Sequence, residues 1–232
     1  MKTKNYFGVS TKIIFSLLAL ALFVASCKKD FGNSEVEASG LGFVHASPTT
    51  KALDFFIDNQ KVNTLTYTKD LGYYAVFPGT RVVGIARKDS LGYLSSGYAN
   101  LNSGGFYSIF IVDTLNTVKL VMFQDDLKAP SAEKAKVRFI NLSPDAGTLD
   151  LAVQGASTSL FTSKAYKQKS DFAEIDPSDN YTFQIKQTGS ATVRSSVSAV
   201  KIEKGKIYTI WAKGLASKTD STQLGIAVMT NK

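Results

Sequence analysis

The chain has 232 residues, 44% of them hydrophobic and 20% charged, with a formal net charge of +8. That length is too great for one small sandwich and suits two domains of about 100 residues each, and the composition is that of an ordinary globular protein rather than a disordered one. Three of the positive charges are Lys2, Lys4 and Lys12 at the extreme N-terminus; the remaining lysines are scattered along alternating segments with no groove-reading motif, which excludes nucleic acid as a partner.

The first element is a leader. Lys2, Lys4 and Lys12 precede an apolar run from Ile13 to Val24 interrupted only by Ser16. The run is too short for a settled transmembrane helix, which needs about 20 residues, and has the layout of a cleaved signal peptide over residues 1–26. Val24-Ala25-Ser26-Cys27 resembles a bacterial lipobox, which implies that Cys27 is acylated and becomes the first residue of the mature chain. Cys27 is the sole cysteine, so no internal disulfide forms and a catalytic thiol is not expected. Multiple acyl chains would hold the protein stably on a membrane. Lys28 after the cysteine favours the outer membrane by the same resemblance, and the side it faces, periplasm or cell surface, stays open. Residues 27–40 are polar and rich in small side chains, a lipidated tether with a reach of roughly 20 Å.

Residues 41–128 read as a first β-sandwich repeat. Phe43 to Ile57 gives strand, Ser47-Pro48 turn, strand; Asp58-Asn59 is a hairpin turn into Val62 to Tyr67. Strands follow at Gly72–Phe77, Thr80–Ala86, Gly92–Ala99, Phe106–Asp113 and Val118–Phe123, and short strands with turns every 8 to 12 residues argue a sandwich. Residues 129–136 are a polar, Pro-containing linker.

Residues 137–232 read as a second copy. Phe139-Ile-Asn-Leu-Ser-Pro-Asp-Ala-Gly-Thr-Leu-Asp150 repeats Phe43-Val-His-Ala-Ser-Pro-Thr-Thr-Lys-Ala-Leu-Asp54, and Gly205-Lys-Ile-Tyr-Thr-Ile-Trp211 repeats Gly104-Gly-Phe-Tyr-Ser-Ile-Phe110. Between them, Tyr74 to Phe77 is set against Phe172 to Ile175. The expected fold is therefore all-β: two tandem immunoglobulin-like antiparallel β-sandwich domains after the cleaved lipoprotein signal peptide. The two opening motifs, each followed by apolar strand residues and later by Tyr-(Ser/Thr)-Ile, resemble domain-of-unknown-function family 4397. The resemblance implies a secreted or lipid-anchored bacterial β-sandwich protein, of Bacteroidota type, and brings no catalytic residues.

The repeat separates what both copies need for folding from what one copy carries alone. Trp211 falls opposite Phe110 and reads as core; Ser47 and Ser143 read as turn residues; Asp54 and Asp150 read as carboxylates bonded to turn amides. His45, the only histidine, falls opposite Asn141 and lies near no nucleophile elbow. One histidine and one lipidated cysteine cannot supply a zinc site, and there is no EF-hand loop, P-loop or dinucleotide fingerprint, so neither metal nor cofactor is expected. Asp125-Asp126 reads as an exposed strand end. Tyr73, Tyr93 and Tyr98 belong to the first copy without aromatic partners in the second, and Tyr73 is expected to face outward with Tyr74 in the core. These three tyrosines are the candidate binding surface. The reading is a non-enzymatic, lipid-anchored envelope protein that recognises a glycan or an envelope protein. The competing readings are a hydrolase using two carboxylates on an envelope or extracellular polymer, and a passive spacer.

Overall fold

Period-two alternation broken by Gly, Pro, Asn and Asp gives strands and turns throughout. The computed structural model describes residues 36–90 and 92–232; the leader, Cys27 and most of the tether lie outside the described residues. The first eight strands are β1 (Ser39–His45), β2 (Leu53–Ile57), β3 (Gln60–Leu65), β4 (Asp70–Val76), β5 (Gly79–Arg87), β6 (Tyr93–Leu101), β7 (Phe106–Val112) and β8 (Lys119–Asp125). The next eight are β9 (Ala135–Asn141), β10 (Leu149–Val153), β11 (Ser159–Lys164), β12 (Ala173–Ile175), β13 (Ser178–Gln187), β14 (Val193–Ile202), β15 (Ile207–Lys213) and β16 (Gly225–Thr230). The Asp58-Asn59 hairpin forms as its sequence requires, with φ of 48° and 63° at its two residues.

The strands build four sheets with one topology used twice. Sheet β4-β1-β7-β8 is matched by β12-β9-β15-β16, and β3-β2-β5-β6 by β11-β10-β13-β14. Pairing is antiparallel except that β1 runs parallel to β7 and β9 parallel to β15. Leu41, Phe43, Phe55, Ile85, Ile109 and Ile111 fill the first sandwich; Val137, Phe139, Leu151, Phe183, Ile185 and Ile210 fill the second.

A third core joins them. β1, β7, β9 and β15 are buried almost along their whole length, because both of their faces are covered. Their alternate residues Val44, Phe110, Val112, Ile140 and Trp211 form a separate cluster with Ala46, Leu142 and Met229. The two homologous sheets thus pack face to face, and residues 36–232 make a four-layer unit. The equivalent side chains Phe110 and Trp211 meet edge to face across the junction, 6.5 Å between ring centroids.

The junction is also reciprocal at its margin. In each repeat the turn before the fourth strand, Tyr67-Thr68 and Tyr166-Lys167, reaches the other repeat, with φ of 69° at Thr68 and 67° at Lys167. Tyr166 Oη donates to Asp113 Oδ1 at 2.5 Å and Lys167 Nζ lies 3.0 Å from Asp113 Oδ2. On the other side Lys213 Nζ sits over the Tyr67 ring, 5.5 Å from its centroid.

Candidate functional site

At the centre of the junction is a closed polar ring. Arg138 and Asp125 are buried, with Nη1 of the arginine 2.6 Å from Oδ1 of the aspartate, an ion contact at an angle outside hydrogen-bond geometry. Arg138 Nε donates to Thr209 Oγ1 (2.8 Å), which donates to Asn231 Oδ1 (2.7 Å). Asn231 Nδ2 donates to Tyr73 Oη (2.8 Å), which donates to Asp125 Oδ2 (2.7 Å). Ser108 Oγ also donates to Asp125 Oδ2, at 2.5 Å. The Arg138 guanidinium stacks on Phe172, 4.6 Å from its ring centroid. Burial and the Asp125 charge push the Tyr73 hydroxyl well above its ordinary pKa. The ring ties one sandwich to the other, and an open depression of about 630 Å³ lies beside it, lined by Phe106, Asp125, Lys169 and Lys232.

Tyr73 is thereby corrected as an exposed aromatic. It does point away from the first sandwich's interior, but that face is covered by the second sandwich. It also has an aromatic counterpart. Gly40 pairs with Ala75 and Lys136 with Glu174, so Tyr73 is equivalent to Phe172 and Tyr74 to Ala173, one residue off the alignment made on sequence. Tyr74 is 39% exposed at the sheet edge rather than core. Tyr74 pairs with the core residue Leu41 and shares its face, but β4 is the edge strand of its sheet and leaves the ring partly open.

Asp54, Asp150 and Ser47, singled out in the sequence, are bonded within the fold, whereas the Ser143 Oγ is buried without a partner. Asp54 accepts from Thr64 Oγ1 (2.5 Å) and the Asp89 amide (3.1 Å), with Lys61 Nζ at 2.8 Å. Burial pushes its carboxyl up, but the Lys61 and Thr64 hydrogen bonds outweigh this and leave it below the usual range. Asp150 accepts from the Ser163 amide and Thr188 Oγ1. Ser47 Oγ donates to the Asp113 carbonyl. Asp126 is exposed as expected, whereas Asp125 is the buried anion of the junction. Among the described residues no group of three or more His, Cys, Asp or Glu side chains is placed to hold a metal ion.

Tyr93 and Tyr98 come together on a different surface, the outer face of sheet β3-β2-β5-β6. Cross-strand pairing puts Phe56 opposite Gly84, Gly84 opposite Ser96, Val82 opposite Tyr98 and Ala86 opposite Tyr93, all on the face away from Phe55, Val83 and Ile85. Tyr93 packs over Gly84, where an added Cβ would come within 2.8 Å of its ring and push it aside. Tyr93 meets Phe56 edge to face at 5.2 Å and donates to Asn59 Oδ1. Tyr98 is 77% exposed. From Ala86 to Val82 the platform runs about 13 Å along β5. Phe56 escaped the sequence reading because it follows the core residue Phe55; period two in β2 is the signal that assigns it to the opposite face.

The second repeat has no such platform. The same register places Ala152 opposite Gln184, Gln184 opposite Ser196 and Lys186 opposite Val193. Beside the first platform, a groove of about 280 Å³ opens between the edge strands β6 and β8, lined by Gly97, Tyr98, Lys119, Leu120 and Met122.

The molecule is thus a tandem β-sandwich protein with one exposed aromatic sheet face. A DUF4397 domain, described as "Domain of unknown function (DUF4397)", is found at residues 39–152, a span covering the first sandwich and β9–β10 of the second. No curated protein matches the chain. Among solved structures, similarity is found to a proposed cell adhesion protein from Bacteroides eggerthii, at 11% identity over 84% of this chain and 95% of that one, TM-score 0.25. Two streptococcal virulence-factor structures also match. One, of family 41 carbohydrate-binding modules that recognise alpha-glucan, is 11% identical over 82% of this chain and 97% of its own. The other, described as binding alpha-glucan, is 9% identical over the same shares; both TM-scores are 0.25. Scores this low carry no argument about the present chain.

Proposed function

We propose that the protein is a non-enzymatic, lipid-anchored component of the bacterial outer envelope that binds a glycan on the outer face of its first sandwich. The observation that carries this reading is the aromatic platform of Phe56, Tyr93 and Tyr98, present on one repeat and replaced by small, aliphatic and polar side chains on the other. Exposed tyrosine rings offer flat apolar area with a polar tip, and the contacts of Tyr93 with Gly84, Phe56 and Asn59 fix one ring before any ligand arrives, which lowers the ordering cost of binding. The buried and bonded state of Asp54, Asp125 and Asp150 supports binding over carboxylate-driven hydrolysis.

The test is a panel of polysaccharides measured by affinity electrophoresis and calorimetry. Tyr98→Ala is expected to weaken binding at least tenfold, the scale of an aromatic contact at a recognition surface, and to leave thermal unfolding unchanged because the side chain is exposed. Equal affinity of wild type and Tyr98→Ala for every bound glycan would overturn the reading. Anchoring rests on the lipobox-like Val24–Cys27 and has its own check. Cys27→Ala is expected to move the protein from the membrane fraction to the soluble fraction of lysed cells, and retention in the membrane would remove the anchor from the account.

A further inference from the structure

The loop end of the first sandwich carries a feature that its twin lacks. Lys51, Arg87 and Lys88 line a depression of about 560 Å³ with Thr50, Ala52 and Leu115. Among the described residues neither Lys51 nor Arg87 has an acidic partner, and Lys88 has only Asp89, at 3.9 Å with both side chains mostly exposed. Three convergent cations repel one another and cost stability.

The second repeat shows that the fold does not require them. Leu53 pairs with Arg87 as Leu149 pairs with Gln187, and Lys88 N donates to Ala52 O as Thr188 N donates to Thr148 O. The positions of Lys51, Arg87 and Lys88 are therefore held by Gly147, Gln187 and Thr188, all uncharged. There they have structural duties: Gln187 Nε2 donates to Thr148 O and Thr188 Oγ1 to Asp150. On one scaffold, a glycine and two neutral side chains that bond inward stand where the other has cations that face solvent.

We infer that Lys51, Arg87 and Lys88 form a subsite for an anionic substituent, carboxylate, sulfate or phosphate, on an acidic polysaccharide. The inference rests on the glycan reading above and extends it to a charged ligand. Arg87 follows Ala86, the cross-strand neighbour of Tyr93, but pairs with the core residue Leu53 and so leaves β5 on the opposite face; the cations gather at the loop end of the sheet whose outer face carries the platform, and an extended chain that touches both must pass over that end. The subsite lies at the His45 end of β1, about 20 Å from the Ser39 end where the tether enters. The hydrogen bonds of Ser39 Oγ to Asn102 O and of Gly104 N to Glu37 O mark that entry end. The cations therefore lie at the end of the sandwich remote from the chain entry at Ser39, which favours a polysaccharide over lipid headgroups near an N-terminal anchor.

Dextran and dextran sulfate share a backbone and differ in charge, and both should be titrated by calorimetry at low and high salt, alongside vesicles of anionic phospholipid. The protein is expected to bind dextran sulfate, with affinity falling as salt rises. Lys51→Ala/Arg87→Ala/Lys88→Ala is expected to weaken it tenfold or more, while Lys186→Ala/Lys206→Ala/Lys218→Ala, which removes equal charge from the second repeat, leaves it unchanged. No binding of dextran sulfate, or equal loss in both triple variants, overturns the inference, as does preference for the vesicles through the same three residues. If Tyr98→Ala weakens glycan binding and the first triple variant does not, the platform stands and the anion subsite falls. If the triple variant alone matters, the subsite stands and the platform reading falls.

Discussion

Arg138→Ala is expected to destabilise the folded chain by about 3–5 kcal/mol, because it strands the Asp125 carboxylate in a buried site without its counter-charge. Asp125 would keep Tyr73 and Ser108 as donors, which moderates the loss without supplying a charge. Trp211 is the only tryptophan and packs in the junction cluster, so its fluorescence reports the event in a urea titration. The pair itself is not what makes the junction stable. Replacing both partners, Arg138→Met with Asp125→Leu, should recover more than half of the loss, since a buried pair can be exchanged for apolar side chains far more cheaply than it can be broken. Recovery stays incomplete because Thr209, Tyr73 and Ser108 each lose a hydrogen-bond partner. A loss under about 1 kcal/mol for Arg138→Ala would mean that water reaches the pair, contrary to a dry junction. Only one repeat has the arginine; the equivalent position in the other is Gly42, beside the Tyr73 ring.

Lowering the pH from about 6.5 to 4 is expected to remove about 3 kcal/mol of stability through His45 alone. Burial of the ring pushes its pKa down to about 4, against smaller upward contributions from backbone hydrogen bonds. Its Nε2 hydrogen-bonds the Lys51 carbonyl at 3.1 Å, while Nδ1 is buried without a partner. The folded value lies below the unfolded one, so the unfolded chain takes up the proton first. Stability therefore falls as pH drops through 6.5 and stops falling near 4. The second repeat supplies the control. Asn141 stands at the same place and bonds the Gly147 and Lys164 carbonyls through Nδ2 and the Ser143 amide through Oδ1. His45→Asn should keep the turn and flatten the curve over this window. Urea unfolding of the two proteins between pH 4 and 7 gives the difference, which isolates His45 from carboxylates such as Asp70, whose pKa burial raises. Parallel curves would show that His45 takes up its proton in the fold as readily as in the unfolded chain, contrary to its buried setting.

Much of the architecture was legible because it depends on local rules. Alternation in Phe43–Ile57 and Phe139–Val153, with Ser-Pro between the strands, gives the same unit twice, and a unit that cannot bury its own apolar face must pack on another. The internal comparison of copies was equally sound where spacing was kept, as for Phe110 and Trp211. It also assigned Tyr93 and Tyr98 to the first repeat alone, by composition of the strands and without coordinates.

Tyr73 marks where that legibility ends. Period two told that it points away from the first sandwich's interior; it could not tell that the outer face of one sheet is the inner face of the junction, nor that strand pairing makes Phe172 its equivalent, one residue off the alignment made on sequence. Asp125 looked like half of an exposed Asp-Asp strand end and is the buried partner of Arg138. The anion subsite was invisible for the same reason, since Lys51 and Arg87 are 36 residues apart and become neighbours only through the pairing of Leu53 with Arg87. The sequence by itself determined the strands, the duplication and the side chains peculiar to one copy, because these follow from short-range periodicity and sterics. Which faces meet water, and which charges meet each other, was decided by the tertiary structure alone, because sheet register and the docking of one sandwich on the other are set by contacts between residues far apart in the chain.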